Sequence, residues 1–294
     1  MPQQRRFKQI DVFTRQPLKG NPLAVVLDAD GLSDEQMRNI ARWTHLSETT
    51  FVVPPTNPLA DYGVRIFTPE QELAFAGHPT LGTAHALLES GFPTKSPGQI
   101  IQQSGIGLVP ININDDDSLA FHVPPATIEP FDATLTPLLE RTLGSARIDK
   151  RYAPATVRMG ISWLMIRMDD ARSCLEVAPD AQSLADLQAA CRINGIAVYG
   201  PHDNAIPTDY EVRTFYIELG HIKEDPVTGS ANACLACILR QQHYPDSDAS
   251  QQLDYRVRQG TKLQSDGRIS VVYLNDEPWV GGHSVTLIDG TLRV

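Results

Sequence analysis

The sequence predicts an α+β protein built from two similar halves, and three observations carry that reading. First, the stretch from residue 72 to 88, beginning Glu72-Leu73-Ala74-Phe75-Ala76-Gly77-His78-Pro79, has a partner at 224–239, beginning Glu224-Asp225-Pro226-Val227-Thr228-Gly229-Ser230. Glu72 falls on Glu224, Gly77 on Gly229, His78 on Ser230 and Leu87 on Leu239. Each copy is an acid, a glycine with a polar neighbour, and then an apolar helix of small residues. Second, a helix that is apolar on every side is normally buried, so each half is expected to wrap its sheet around its own central helix. Third, strand-like and helix-like segments mix without the steady strand–helix alternation of a parallel sheet. That favours mixed or mostly antiparallel pairing. At 294 residues the chain has room for two medium domains. Pro124-Pro125 marks the expected boundary, giving domains 1–125 and 126–283, with the strand at 284–294 returning to the first.

Taken in order, residues 7–13 alternate as a strand, Gly20-Asn21-Pro22 reads as a turn, and 23–27 as a buried strand. Ser33-Asp34-Glu35-Gln36 is a capping-box start for a helix reaching about Trp43. A turn at 45–50 enters a strand ending near Val53, and 62–67 is the next strand. In the first repeated helix Pro79 suits the first helical position, and Gly91 is placed to stop the helix in left-handed geometry. Segments 99–103, 108–112 and 119–123 follow as strands, with Asn114-Asp115-Asp116-Asp117 as a solvated hairpin turn. The second half runs helix 135–143, strand 162–168, helix 183–193 stopped by Gly195, and strands 196–199 and 210–217. After the second repeated helix, with Ser230 as its expected N-cap, come strands near 253–258, 269–274 and 283–288. Gly105-Ile106-Gly107 and Gly281-Gly282 read as hairpin turns.

Composition narrows the function classes. A net charge of −10 argues against nucleic acid or an anionic membrane as partner. The basic N-terminal residues lack a following apolar segment, so no signal peptide is expected, and no run approaches a membrane span. Of the four cysteines, Cys234 and Cys237 sit together in the second apolar helix without the ligands that would complete a zinc site. They are expected as free thiols in the core, in a reducing cytoplasm. No metal is expected.

Helix N-termini carry free N–H groups and partial positive charge, so two such ends facing each other would suit a small-molecule carboxylate. Glu48 lies between Ser47 and Thr49 at the mouth of a buried strand. Desolvation there would suit general acid/base work, and a solvated or salt-bridged strand-start acid is the plain alternative. Glu224 and Asp225 either favour the helix dipole or hold a substrate amine or hydroxyl. His78 is a cap, a proton shuttle or a donor, and its repeat partner Ser230 lifts both as pocket residues. No His-Asp arrangement marks Ser230 as a nucleophile. His85 reads as a core histidine.

These residues resemble the PhzF-like phenazine-biosynthesis family. The matching stretches are Asp11-Val12-Phe13, Gly20-Asn21-Pro22-Leu23-Ala24-Val25, Leu46-Ser47-Glu48-Thr49-Thr50-Phe51, Arg65-Ile66-Phe67-Thr68-Pro69, Phe75-Ala76-Gly77-His78-Pro79-Thr80-Leu81-Gly82, Glu224-Asp225-Pro226-Val227-Thr228-Gly229-Ser230-Ala231 and Gln259-Gly260. The resemblance implies the diaminopimelate-epimerase-like fold with its active site in the cleft between the domains. It implies a cofactor-free, metal-free isomerase, commonly a homodimer. It further implies Glu48 as the proton-moving group, with Gly77, His78, Asp225, Gly229 and Ser230 binding a small carboxylate substrate. The related cysteine racemases place a thiol immediately before each of the two glycines, and here those positions are Ala76 and Thr228. That lowers the racemase reading, leaving a non-thiol racemase or epimerase, or a non-catalytic carboxylate-binding protein, as alternatives. Segments 159–163 and 199–209, matched least, are expected to set specificity.

Overall fold

A computed structural model describes residues 3–144, 147–203, 208–218, 220–242 and 254–294. In chain order the elements are β1 (Gln4–Val12), β2 (Asn21–Val26), α1 (Asp34–Thr44), β3 (Thr49–Val53), β4 (Tyr62–Phe67), β5 (Glu72–Leu73), α2 (Gly77–Glu89), β6 (Gln99–Ser104), β7 (Gly107–Ile113) and β8 (Leu119–His122). They continue with β9 (Thr127–Pro130), α3 (Thr136–Leu143), β10 (Ala155–Met159), β11 (Ile161–Arg167), α4 (Ala171–Glu176), α5 (Ala181–Cys191), β12 (Gly195–Pro201), β13 (Tyr210–Glu218), β14 (His221–Asp225), α6 (Gly229–Gln241), β15 (Asp254–Gln259), β16 (Gly267–Leu274), β17 (Glu277–Gly282) and β18 (Ser284–Arg293). The chain divides into two compact units, Met1–His122 with Gly281–Val294, and Val123–Val280.

In the first unit β18 pairs antiparallel with β1, β1 antiparallel with β2, β2 parallel with β3, and β3 antiparallel with β4. β4 then takes the short β5 antiparallel and β6 parallel, and β7 and β8 follow antiparallel. The second unit repeats this order of pairings. β9, β10 and β11 are antiparallel neighbours, β11 is parallel to β12, and β12 is antiparallel to β13. β13 takes β14 antiparallel and β15 parallel, and β16 closes antiparallel on β15. The helical connection between the parallel strands is α1 in one unit and α4 with α5 in the other.

Each central helix is buried over its first two turns, where its residues are small, apolar or uncharged at their hydrogen bonds, and its charge is confined to the last turn. In α2 every residue from Gly77 to Ala84 is buried, and it touches β1, β2, β3, β6, β8 and β18. Burying Leu81 and Leu87 contributes about 1.5–3 kcal/mol each. α6 is buried from Gly229 to Ala236 and packs on β10 and β11. A second layer covers the other face: Met37, Ile40 and Ala41 of α1 pack with Val26, Phe51 and Phe67, while Leu184 and Leu187 of α5 pack with Leu164, Ile166 and Val198.

Local signals work where the chemistry is short-range. Ser33 Oγ accepts from Gln36 N at 3.2 Å while Gln36 Oε1 accepts from Ser33 N at 2.9 Å, so the capping box forms as expected. Gly91 adopts φ 75°, and bonds from Gly91 N to Leu88 O and from Phe92 N to Leu87 O end α2 in a Schellman motif. Several expectations are corrected. Asn21 and Pro22 belong to β2, because the turn is completed by residues 13–20. Pro79 is the third residue of α2, still within the turn where a missing N–H costs nothing. The N-cap of α6 is Thr228, not Ser230, which lies inside the helix with its hydroxyl engaged elsewhere. Arg192, in left-handed geometry, ends α5, and Gly195 instead opens β12. Gly281 and Gly282 are strand residues, Gly281 because a Cβ would meet the Leu119 carbonyl oxygen at 2.5 Å. Strands β5, β9, β10, β14 and β17 and helix α4 were not expected at all. Residue 253 of the expected strand and 204–207 of the second specificity segment lie outside the described residues.

Candidate active site

In the first unit the site starts at the end of β1. The buried carboxylate of Asp11 accepts N–H groups from Lys19 at 3.0 Å and Gly20 at 3.2 Å, which folds the 13–20 loop back onto the strand. A Cβ on Gly20 would strike the Val12 carbonyl oxygen and come 2.8 Å from Asp11 Oδ1, so glycine is required by close approach. The loop delivers Asn21 as first residue of β2, with its amide nitrogen 3.5 Å from Nδ1 of His78. His78 is the second residue of α2, and its Nε2 lies 3.5 Å from Glu48 Oε2. Glu48 sits directly before β3, the strand parallel to β2, which brings both groups to the same end of the sheet. The side chains are 4% exposed for His78 and 16% for Glu48. The His78 ring thus lies between the Asn21 amide on its Nδ1 side and the Glu48 carboxylate on its Nε2 side. α2 is held by Tyr62, whose hydroxyl donates to Gln102, which in turn donates to Thr80.

In the second unit β14 ends in Glu224-Asp225, and the structure separates the two acids. Glu224 is gripped by Arg213 through Nε and Nη2, both at 2.9 Å, and Arg213 Nη1 also donates to the carbonyls of Cys174, Leu175 and Val177. Glu224 is therefore a framework residue. The matching Glu72 is gripped the same way by Arg65, at 2.8 and 2.7 Å. Each arginine also covers the phenylalanine two residues on, Phe67 or Phe215. Asp225, by contrast, faces the start of α6, where its Oδ2 accepts from Thr228 Oγ1 at 2.6 Å. Ser230 Oγ accepts from Trp163 Nε1 at 3.0 Å. Gln259, fully buried, accepts from Thr228 N and Asn232 Nδ2 and donates to the hydroxyls of Thr228 and Thr214.

Gly77, His78 and Glu48 thus gather at one helix end, and Asp225, Gly229 and Ser230 at the other, each within its own unit. The first-turn amides of α2 and α6 point out of these ends as anion donors. Burial holds the Cys234 thiol of α6 well above the usual thiol range and pushes that of Cys237 up to about 11. His85 is half-buried, bonded to Thr286, and lowered by burial. Among the described residues no group of His, Cys, Asp and Glu is placed to hold a metal ion, and no helix is long and apolar enough to cross a membrane. Sequence reasoning missed Asp11, Asn21 and Thr214 as site supports, and it held Trp163 only as the end of a segment expected to set specificity, without its bond to Ser230. Asn21 was hidden by its turn-like neighbours, and Thr214 looks like an ordinary strand residue.

A fold of two like units, each with a glycine-led buried helix flanked by polar side chains, defines a class shared with known proteins. The chain belongs to the phenazine biosynthesis-like protein family, whose model matches residues 10–290. It is 39% identical to antisense-enhancing sequence 1 of Schizosaccharomyces pombe, over 97% of each chain. It is 32% identical to the trans-2,3-dihydro-3-hydroxyanthranilate isomerase of Pseudomonas aeruginosa, over 92% of this chain and 90% of that one. A solved Bacillus anthracis phenazine biosynthesis protein of the PhzF family superposes with a TM-score of 0.83 at 23% identity, covering 99% and 100% of the two chains. The α+β, diaminopimelate-epimerase-like fold expected from the sequence is the one observed. The chain is an isomerase of this family.

Proposed function

We propose that this isomerase works without a cofactor or metal, moving a proton between carbons of a small unsaturated amino- or hydroxy-carboxylic acid with Glu48 as general acid/base. The observation that carries the reading is the Glu48–His78 pair, 3.5 Å apart and withdrawn from solvent at the glycine-led end of α2. The Glu48 carboxylate takes a C–H proton, the electron pair shifts along the unsaturated system, and the resulting Glu48 carboxylic acid returns the proton to a different carbon. Nothing is oxidised or reduced. His78, its Nε2 3.5 Å from Glu48 Oε2, sits against that carboxylate and sets its electrostatic surroundings. The amides of Gly77 and Gly229 and the hydroxyl of Ser230 hold the substrate carboxylate, and Asp225 accepts from its amine or hydroxyl. The activity named for the Pseudomonas relative is of this type. A homodimer belongs to the same proposal, read by light scattering as twice the chain mass.

The test offers trans-2,3-dihydro-3-hydroxyanthranilate and a panel of related unsaturated amino and hydroxy acids in heavy water. Wild type should give rearranged product carrying deuterium. Glu48→Gln should lose about 10²–10⁴-fold in rate. Full turnover by Glu48→Gln would refute the assignment. Label at a stereocentre with inversion would instead support a non-thiol epimerase, and binding without label a non-catalytic carboxylate receptor.

A further inference from the structure

Trp163 is almost fully buried in β11, and its indole N–H donates to Ser230 Oγ at 3.0 Å. An indole nitrogen can only donate, whereas a serine hydroxyl has one proton and two acceptor lone pairs. The indole therefore occupies an acceptor site on Ser230, and the remaining proton of that hydroxyl is left to be given away. Ser230 is the second residue of α6, beside first-turn amides that are donors as well. The place for the ring is built into the fold: Trp163 lies opposite Gly195 in the parallel β11–β12 ladder, and a Cβ at 195 would come 2.6 Å from Cζ3 of the indole. The first unit has a parallel arrangement, where a side-chain N–H of Asn21, from the strand matching β11, faces the second residue of α2.

We propose that Trp163 is a positioning residue that fixes Ser230 as a hydrogen-bond donor, so that the α6 end prefers a carboxylate to its neutral carboxamide. The inference rests on the reading of this helix end as the substrate-carboxylate holder. Its probe is anthranilate, a stable planar amino-carboxylate, against anthranilamide, titrated into wild type, Trp163→Phe, Ser230→Ala and the double variant. Trp163→Phe should weaken anthranilate binding by about tenfold, the scale of one hydrogen bond to a charged group, and leave anthranilamide nearly unchanged. In the Ser230→Ala background the same substitution should cost nothing further, since coupled residues are non-additive. The indole N–H resonance of Trp163, identified by its absence from Trp163→Phe, should move when Ser230 becomes Ala and when anthranilate binds wild type. Should Trp163→Phe fail to fold, Trp43→Phe and Trp279→Phe assign the other two indole resonances and leave that of Trp163 by difference, and the wild-type and Ser230→Ala spectra decide alone. Equal loss for both probes, full additivity or an unmoved resonance would overturn the role of Trp163 while leaving the binding reading intact. A folded wild type that takes no anthranilate overturns both.

Discussion

Replacing Gln259 with leucine removes the polar hub of the second unit at nearly constant volume. Gln259 is fully buried, so water cannot stand in for what is lost. The Thr228 N–H loses an acceptor at 3.0 Å, and the Thr228 and Thr214 hydroxyls lose a donor at 2.9 and 3.2 Å. Asn232 keeps a second acceptor, the Thr228 carbonyl at 2.9 Å, and is less affected. A stranded buried N–H costs about 1–3 kcal/mol and each deprived hydroxyl roughly 0.5–1.5 kcal/mol. The loss is therefore about 3 kcal/mol, a large share of a typical total of roughly 5–15 kcal/mol. With a urea dependence of about 3 kcal/mol per molar, the unfolding midpoint should fall by about 1 M. Tryptophan fluorescence reports it. The Thr228 hydroxyl that orients Asp225 is released by the same change, so turnover should fall in protein that is still folded. A midpoint within about 0.2 M of wild type, with turnover unchanged, would refute the claim that this network holds the α6 end.

Two further outcomes follow from the framework. Burial raises the Asp11 carboxyl above its ordinary value despite the backbone N–H groups it accepts. An acid raised in the folded state contributes stability that is full below its unfolded pKa and is lost as pH climbs through the folded value. The stability of wild type relative to Asp11→Asn should therefore decline as pH rises from about 4 toward neutrality, and a rising difference in urea titrations would contradict it. Arg213→Lys should cost about 2–4 kcal/mol, because Arg213 and Glu224 are 7% and 12% exposed and lysine reproduces neither the fork nor the carbonyl contacts. The equivalent Arg65→Lys should cost under about 1 kcal/mol, since Arg65 and Glu72 are 27% and 40% exposed. Equal midpoints for the two variants would sink this reasoning.

Sequence patterns made the large features legible because they rest on local chemistry. The capping box at Ser33, the Gly91 stop and the apolar character of α2 and α6 are each decided within a few residues of chain. What stayed hidden depends on distant pairing. β14 reads as a polar stretch because its burial pattern is half-exposed, and β10 interrupts a segment with no clear period. Ser230 carries the residue type of an N-cap, yet a ring 67 positions upstream takes its hydroxyl. The Glu72 and Glu224 match was visible in the sequence, but its meaning was not, because only the fold shows an arginine closing on each.

That repeated clamp explains why the two helix ends can differ in chemistry without losing their shape. The Arg–Glu forks, the phenylalanines beneath them and the glycines at 77 and 229 are framework, and they occur in both units. The variable part is the second residue of each helix and the side chain that faces it. Asn21 faces Nδ1 of His78, whose Nε2 lies 3.5 Å from a carboxylate, Glu48. Trp163 donates to Ser230, while Asp225 accepts from Thr228, the N-cap of the same helix. Under the proposed function the first end exchanges the proton and the second holds the substrate, so the difference in role would follow from one side-chain pair per unit. Replacing Thr228 by alanine, the residue at the matching position 76, would free Asp225 from the hydroxyl that orients it and leave the Trp163–Ser230 pair in place.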